Sequence, residues 1–400
     1  MDKELPILLS LIASFCILAV ILGYLLYWYA FRFEPFNFKL SKIAIKVKIN
    51  GSNLKENDLK NIKSSGIDNK NQETPEPAGL LKILHLSDFH LRKDIKGKKL
   101  FEFIKTLQPL NPDLIVITGD LVEKNENFDY LIDMLSGFNA RLGKFVVFGV
   151  HDYYNKAVIE FIKNMFKKKR SYKNANDVDL LIKKLQSIGF KVLQNKKEVI
   201  TLKSSAILSS DLSYDKSSNV LSNLSILPNL SNLTLEIVGV DDAVIEKADA
   251  KKAFNIASGK AINKALISLN KVINKTLNKD VKIELSLEKS DEKFHFLNNS
   301  NKLCICLTHT PDQQLLKEIS SYGADIILCG HTHGGQVRLP LIGAIITGAN
   351  VKRKYASGLF YFKNFVLFTS RGLGEGRYSP FRFYCQPEAV LININFYKTS

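Results

Sequence analysis

The sequence predicts an α/β domain of layered sheets carried behind one long apolar helix. Three observations predict it. First, strand-length apolar runs repeatedly end in Asp or His, with helix-length spacers between them. Second, Leu5 to Phe31 is a run of 27 residues without a charge, where about 20 suffice to cross a bilayer as a helix. Third, two of the seven histidines stand between glycines in Cys329-Gly330-His331-Thr332-His333-Gly334-Gly335-Gln336, just after the strand-like Ile326-Ile327-Leu328. On an extended segment residues i and i+2 project to the same side. His331 and His333 can therefore offer two imidazoles to one centre or to two adjacent ones. The flanking glycines let the backbone turn and approach closely. The stretch reads as half of a metal site.

Four hundred residues suit one large α/β domain with insertions, and 46% hydrophobic content supports a real core. The net charge of +17 points to anionic partners: phosphate groups, nucleic acid or an acidic lipid face. Between Asn155 and Ile200 twelve Lys/Arg stand against four Asp/Glu, a net of +8. Cys16 lies in the apolar run. Cys304, Cys306, Cys329 and Cys385 lack C-x-x-C spacing and read as small buried hydrophobes in a reducing compartment.

The elements follow in chain order. The apolar run ends in Tyr24, Tyr27, Trp28 and Tyr29, aromatics suited to a membrane interface. Met1-Asp2-Lys3-Glu4 is not the basic start of a cleavable signal, so residues 1–35 read as a retained anchor. Beyond it Arg32, Lys39, Lys42, Lys46 and Lys48 outweigh Glu34 (five minus one, +4), against −1 on the N-terminal side. That bias predicts a single-pass protein of the cell membrane with residues 32–400 cytoplasmic. Residues 36–80 read as a strand (42–49) followed by an Asn/Lys/Pro-rich linker, and 81–400 as the main domain. Strands are predicted at 83–86, 114–118, 145–149, 236–240, 303–308, 326–328, 389–395 and as a pair within 358–369. Helices are predicted at 98–108, 127–137, 179–188 and 312–322. His85 reads as structural and His295, in a polar stretch, as solvated.

The strand ends supply Asp88, His90, Asp120, His151, Asp152, His309, His331 and His333. Without His151 and Asp152, two carboxylates and four imidazoles suffice for two divalent metals, with Asp120 able to offer an oxygen to each. A metal pair about 3.5–4 Å apart suits an in-line displacement, and mixed imidazole–carboxylate ligation favours Mn, Fe or Zn over Mg.

The series resembles the calcineurin-like metallophosphoesterases. It stands here as Asp88-Phe89-His90, Gly119-Asp120, Gly149-Val150-His151-Asp152, His309 and Gly330-His331-Thr332-His333. Thr308-His309-Thr310-Pro311, Gly334-Gly335-Gln336 and Ser370-Arg371-Gly372-Leu373-Gly374 look like the membrane-associated bacterial branch, which includes pyrophosphohydrolases acting on UDP-2,3-diacylglucosamine. The resemblance covers roughly 81–395, with insertions near 155–178, 204–234 and 255–300. It implies a four-layered α/β/β/α sandwich. It also implies one metal held by Asp88, His90, Asp120 and His333, and a second by Asp120, His309 and His331. His151 would serve the leaving-group oxygen, with Asp152 orienting its ring or capping a helix. Arg371 and Arg338 are candidate phosphate contacts or salt-bridge partners. The family's metal-binding Asn is Val150 here, which cannot coordinate and weakens the second metal.

The expected function is therefore hydrolysis of a phosphoester or pyrophosphate bond in a membrane-presented, nucleotide-linked or phosphorylated lipid. The alternative is a membrane-tethered phospho-ligand-binding protein without turnover. The expected partners are the bilayer and a lipid substrate rather than nucleic acid. The basic run Lys163–Lys173 reads as a solvated helix face or as a contact to anionic headgroups.

Overall fold

The strands and helices predicted for the main domain become elements of a four-layered α/β/β/α stack. The computed structural model describes residues 4–49, 79–155, 160, 163, 172–202, 233–256, 294–297 and 302–398. In chain order these form α1 (Glu4–Trp28), β1 (Lys39–Ile49), β2 (Gly79–Leu86), α2 (Ile95–Leu107), β3 (Leu114–Thr118), α3 (Phe128–Leu135), β4 (Gly143–Val147) and α4 (Val150–Tyr153). Next come α5 (Val178–Ser187), β5 (Phe190–Val192), β6 (Lys196–Thr201), β7 (Thr234–Val240), α6 (Ala250–Ala253), β8 (His295–Phe296), β9 (Lys302–Thr308) and α7 (Gln313–Ser321). The chain closes with β10 (Ile326–Cys329), β11 (Arg338–Leu339), β12 (Gly343–Ala344), β13 (Gly358–Tyr361), β14 (Val366–Thr369) and β15 (Glu388–Lys398).

Two sheets carry the domain, in the orders β5-β4-β3-β2-β15-β1-β8 and β13-β14-β10-β9-β7-β6. Their central strands are buried on both faces, which is why they read as unbroken apolar runs. Ile83, Val116, Val147 and Ile392 of the first sheet meet Ile237, Ile305, Leu328 and Phe368 of the second between the sheets. On the outer face of the first sheet Leu84, Ile115 and Val146 pack with Leu100 and Ile104 of α2, Leu131 of α3 and Leu185 of α5. On the outer face of the second, Val238, Cys306 and Ile327 pack with Ala253 of α6 and Leu316 and Ile319 of α7. Cys304, Cys306, Cys329 and Cys385 are buried free thiols, as expected. The helix starts are capped by local chemistry: Asp94, Asp177 and Asp312 each accept an N–H from the first turn of the helix that follows.

The strand expected within 36–80 is hydrogen-bonded into the first sheet. β1 runs parallel to β15 from Lys39↔Glu388 to Ile49↔Lys398. Its other edge takes β8 at Val47↔His295. This pairing corrects the reading of His295 as solvated: it is buried, with Nε2 3.1 Å from Asp325 Oδ1. Asp325 Oδ2 in turn accepts the N–H of Cys304 at 2.8 Å. His85 is structural, its Nε2 2.8 Å from the Thr118 hydroxyl, with burial pushing its pKa down to about 3. The linker at 51–78, most of the basic run at 163–173, and most of the stretches 155–178, 204–234 and 255–300 lie outside the described residues.

α1 is exposed and apolar on every side, from Ile7 to Trp28. Its 25 residues span ~37 Å at 1.5 Å per residue, enough for a hydrocarbon core of about 30 Å. The helix then changes pitch over Tyr29–Phe36, with Pro35, which has no N–H to donate, inside its last turn. The domain grips this end. Arg382 N–H donates to the Ala30 carbonyl at 3.0 Å, Tyr29 meets Phe383 edge-on, and Phe31 packs on Phe381.

The inter-sheet layer sets stability. Ile392→Ala, at the centre of β15 and fully buried, is expected to lower the unfolding free energy by about 2–5 kcal/mol, read as a lower denaturant midpoint.

Candidate metal centre

The polar strand ends gather at the carboxyl edge of both sheets. Asp88 and His90 follow β2, Asp120 follows β3, His151 and Asp152 lie in α4 after β4, His309 follows β9, and His331 and His333 follow β10. The loops are laced together. Asp88 N–H donates to Gly119 O at 2.9 Å, His90 N–H to Asp120 O at 2.9 Å, and Gly330 N–H to His309 O at 3.0 Å. Across the sheets, Asp88 accepts the N–H of His331 at 3.0 Å.

This convergence strains the backbone. Asp88 (φ 53°), His90 (φ 43°), Asp120 (φ 53°), His331 (φ 67°) and His333 (φ 49°) all occupy the left-handed region, which costs a non-glycine residue of order 1 kcal/mol or more. The glycines serve a different need. A side chain at Gly330 would collide with the Ser87 hydroxyl, and one at Gly149 with the Asp120 carboxylate. Only glycine admits such close approach.

Among the described residues three groups of side chains could hold a metal ion: Asp88, His90 and His333; Asp120, His309 and His331; and His90, Glu123 and His151. The four imidazoles of the first two groups are each oriented from behind. His309 Nδ1 donates to Thr118 O at 2.7 Å, His333 Nδ1 to Gly374 O at 3.0 Å, and His331 Nε2 to Gly348 O at 3.3 Å. A carbonyl oxygen only accepts, so the proton sits on that nitrogen and the lone pair points inward. His90 Nδ1 is likewise held by Glu123 Oε1 at 2.9 Å. The inward nitrogens crowd: His90 Nε2 and His333 Nε2 are 3.2 Å apart, as are His309 Nε2 and His331 Nδ1. Asp120 Oδ2 lies 3.2 Å from His309 Nε2 and 3.5 Å from His90 Nε2, between the two groups. Convergent lone pairs, each backed by an outer hydrogen bond, fit divalent-metal ligation.

Charge agrees with that fit. Burial and then His151 push His90 down to about 4, and burial with the neighbouring His90 holds His333 well below the ordinary range, so both are neutral donors. His309 behaves oppositely. Burial would lower it, but Asp120, Asp88 and Asp242 raise it to about 10. The carboxylates thus draw positive charge to the centre, which a metal would supply in place of that proton.

Asp152 has a different role from the expected orientation of His151. Its carboxylate accepts N–H groups from Asp120 and Leu121 at 2.8 Å and from Gly149 at 2.9 Å, so it shapes the backbone that carries Asp120. The ring of His151 is held instead by Glu123, with Nδ1 3.1 Å from Oε2. Glu123 is buried and also accepts the N–H of Arg377. It stands three residues after Asp120, and that spacing is the one sequence signal that could have found it. Arg338 is turned inward, bonded to Gly334 O at 2.8 Å and the Ser357 hydroxyl at 3.1 Å. Arg371 is half-buried at the rim, 3.9 Å from Glu388. Val150 is buried and brings no donor atom. The sequence also did not reveal Arg382. This fully buried cation bonds the carbonyls of Arg371, Gly374 and Cys385 and the carboxylate of Glu375, fixing the loop that backs His333.

Glu123→Gln keeps the size but cannot accept from two imidazoles with both terminal atoms, because its amide nitrogen only donates. We expect metal affinity to fall by about 10–100-fold in isothermal titration with Mn, with folding unchanged by circular dichroism.

Residues 81–211 match the calcineurin-like phosphoesterase family. The uncharacterized metallophosphoesterase YkuE of Bacillus subtilis is 25% identical over 318 residues, 78% of this chain and 78% of that protein. The UDP-2,3-diacylglucosamine pyrophosphatase LpxG of Chlamydia muridarum is 25% identical over 323 residues, 78% of this chain and 83% of LpxG. The phosphodiesterase YaeI of Escherichia coli is 36% identical over a shorter 90 residues, 22% of this chain and 32% of YaeI. Family match, layered sheets and convergent His/Asp groups agree: the chain carries a calcineurin-like metallophosphoesterase domain.

Proposed function

We propose that this chain is a membrane-anchored hydrolase of phosphoester or pyrophosphate bonds, using two divalent metals and acting on a nucleotide-linked or phosphorylated lipid. The observation that carries the reading is the meeting of two donor groups at Asp120: Asp88, His90 and His333 on one side, His309 and His331 on the other. A divalent pair supplies such a site with Lewis acidity toward a phosphoryl oxygen and with water of lowered pKa. The rest falls to the chain. Its Asp and His donors would hold such a pair, and their mixed chemistry favours Mn, Fe or Zn. His151, its ring fixed by Glu123, serves the leaving-group oxygen as acid or charge stabiliser. Asp152 holds the loop of Asp120 rigid. Arg371, at the rim, meets substrate phosphate through its guanidinium.

The lipid part rests on α1 as an anchor at residues 1–35 and on the relative LpxG being a UDP-2,3-diacylglucosamine pyrophosphatase. The charge bias around α1 favours the main domain on the cytoplasmic side. A second reading follows from Val150, a buried apolar side chain where the family resemblance implies a metal-binding Asn. On that reading the protein binds phosphorylated ligands without turning them over.

The two readings separate on the full chain in detergent, assayed for metal content and for bis-p-nitrophenyl phosphate hydrolysis with Mn. We expect the wild type to hydrolyse and His333→Ala to lose activity by more than about 100-fold, since even outer-shell partners of a metal site are worth 10–100-fold. Val150→Asn should raise metal content toward two per chain. Turnover by Val150→Asn alone would replace the enzyme reading with the binding one. With turnover established, cleavage of UDP-2,3-diacylglucosamine in mixed micelles tests the lipid substrate; a strict preference for soluble diesters would overturn it.

A further inference from the structure

The segment from Val337 to Gly348 is a small hairpin built on β11 and β12, with Arg338↔Ala344 and Leu339↔Gly343 paired antiparallel. Its sequence, Val337-Arg338-Leu339-Pro340-Leu341-Ile342-Gly343-Ala344-Ile345-Ile346-Thr347-Gly348, holds one charge. That charge is turned inward onto Gly334 O and Ser357. Most of the large apolar side chains turn outward. Leu341 is fully exposed, Ile342 is 64% and Ile346 70% exposed, and Leu339 and Ile345 are open as well. Outside α1, the other large exposed aliphatics among the described residues, such as Ile95, Leu180, Val199 and Ile256, stand singly along the chain. Five within eight residues is a patch that water disfavours.

The hairpin's position says what covers it. Its base is stitched to the segment that grips α1: Arg338 N–H donates to Phe383 O and Phe383 N–H to Gln336 O, each at 2.9 Å. Arg382, Phe381 and Phe383 of that segment touch Ala30, Phe31 and Tyr29 at the end of α1. Tyr384, the next residue of that segment, is 61% exposed and lies near Tyr29. Lys352, Arg353 and Lys354 are exposed, in and beside the turn that β12 meets, an arrangement suited to anionic headgroups beside an apolar wedge. The hairpin also borders the metal centre, for Gly348 O holds His331.

We propose that this hairpin is a second membrane contact, its Leu341–Ile342 tip entering the acyl zone beside α1 so that the metal centre faces the lipid–water boundary. The inference rests on reading α1 as a membrane anchor, and its test separates the two.

Trp28 is the one tryptophan of the chain, so the full chain can be reconstituted into phosphatidylcholine–phosphatidylglycerol vesicles with brominated acyl chains and read by fluorescence. Quenching of Trp28 in the wild type reports on the anchor alone. Trp28→Phe combined with Leu341→Trp reports on the hairpin, and Trp28→Phe combined with Val199→Trp, on the edge strand β6, is the control. We expect the tryptophan at 341 to be blue-shifted and to lose intensity as the brominated fraction rises, with the one at 199 unaffected. Unquenched, red-shifted emission from 341 would overturn the proposal. A blue shift without quenching would mean protein covers the patch, as in a second copy of the chain, and would overturn it too. Equal quenching at 199 would show unspecific adsorption and would likewise sink it. If Trp28 is unquenched while 341 is quenched, the anchor reading falls and the hairpin stands.

Discussion

Two buried carboxylates, Asp88 and Asp120, hold the carboxyl edges of the two sheets together. Asp88, from the first sheet, accepts the His331 N–H from the second. Asp120, from the first, pairs with His309 of the second while accepting the N–H of His151. An unpaired carboxylate in this interior would cost several kcal/mol, so the loops must bring imidazoles and amides to them. The same groups that settle the buried charge thereby form a donor set for cations.

The surrounding structure serves that constraint. Five of the donor residues accept left-handed backbone angles, a local cost carried by the packed sheets beneath. Glycines stand where a side chain would displace a carboxylate or a serine. Asp152 and Arg382 work on backbone groups rather than on ligands: one gathers amides behind Asp120, the other gathers carbonyls behind His333. Both are buried, and both rigidify a loop whose own hydrogen bonds could not all be made within it.

α1 and the 337–348 hairpin give this edge of the molecule an apolar border. Segment 381–384 touches both, so the end of the helix, the hairpin and the metal centre are neighbours. Val150 stands apart from this consistency. It occupies the first position of α4 beside the centre with an apolar side chain that offers no donor atom.

The amino-acid sequence alone determined the central strands, their polar ends and the six metal-donor candidates, because strand periodicity and the residues at strand exits are local properties of the chain; the short edge strands β5, β6, β8, β11 and β12 were not legible in it. It also determined the long apolar helix, since hydropathy needs no partner to be read. Tertiary structure decided which of those ends share an oxygen, and it alone placed Glu123 between His90 and His151. The partners of Asp152 lie about thirty residues upstream, and Arg382 meets Ala30 from the far end of the chain. Burial of His295 depended on an edge pairing with β1, nearly 250 residues earlier. The hairpin's exposure followed the same logic: its apolar run says nothing of burial by itself, and its place at the border of the domain left those side chains outward. Such outcomes depend on which segments meet, and that is set by packing of the whole chain rather than by any one stretch of it.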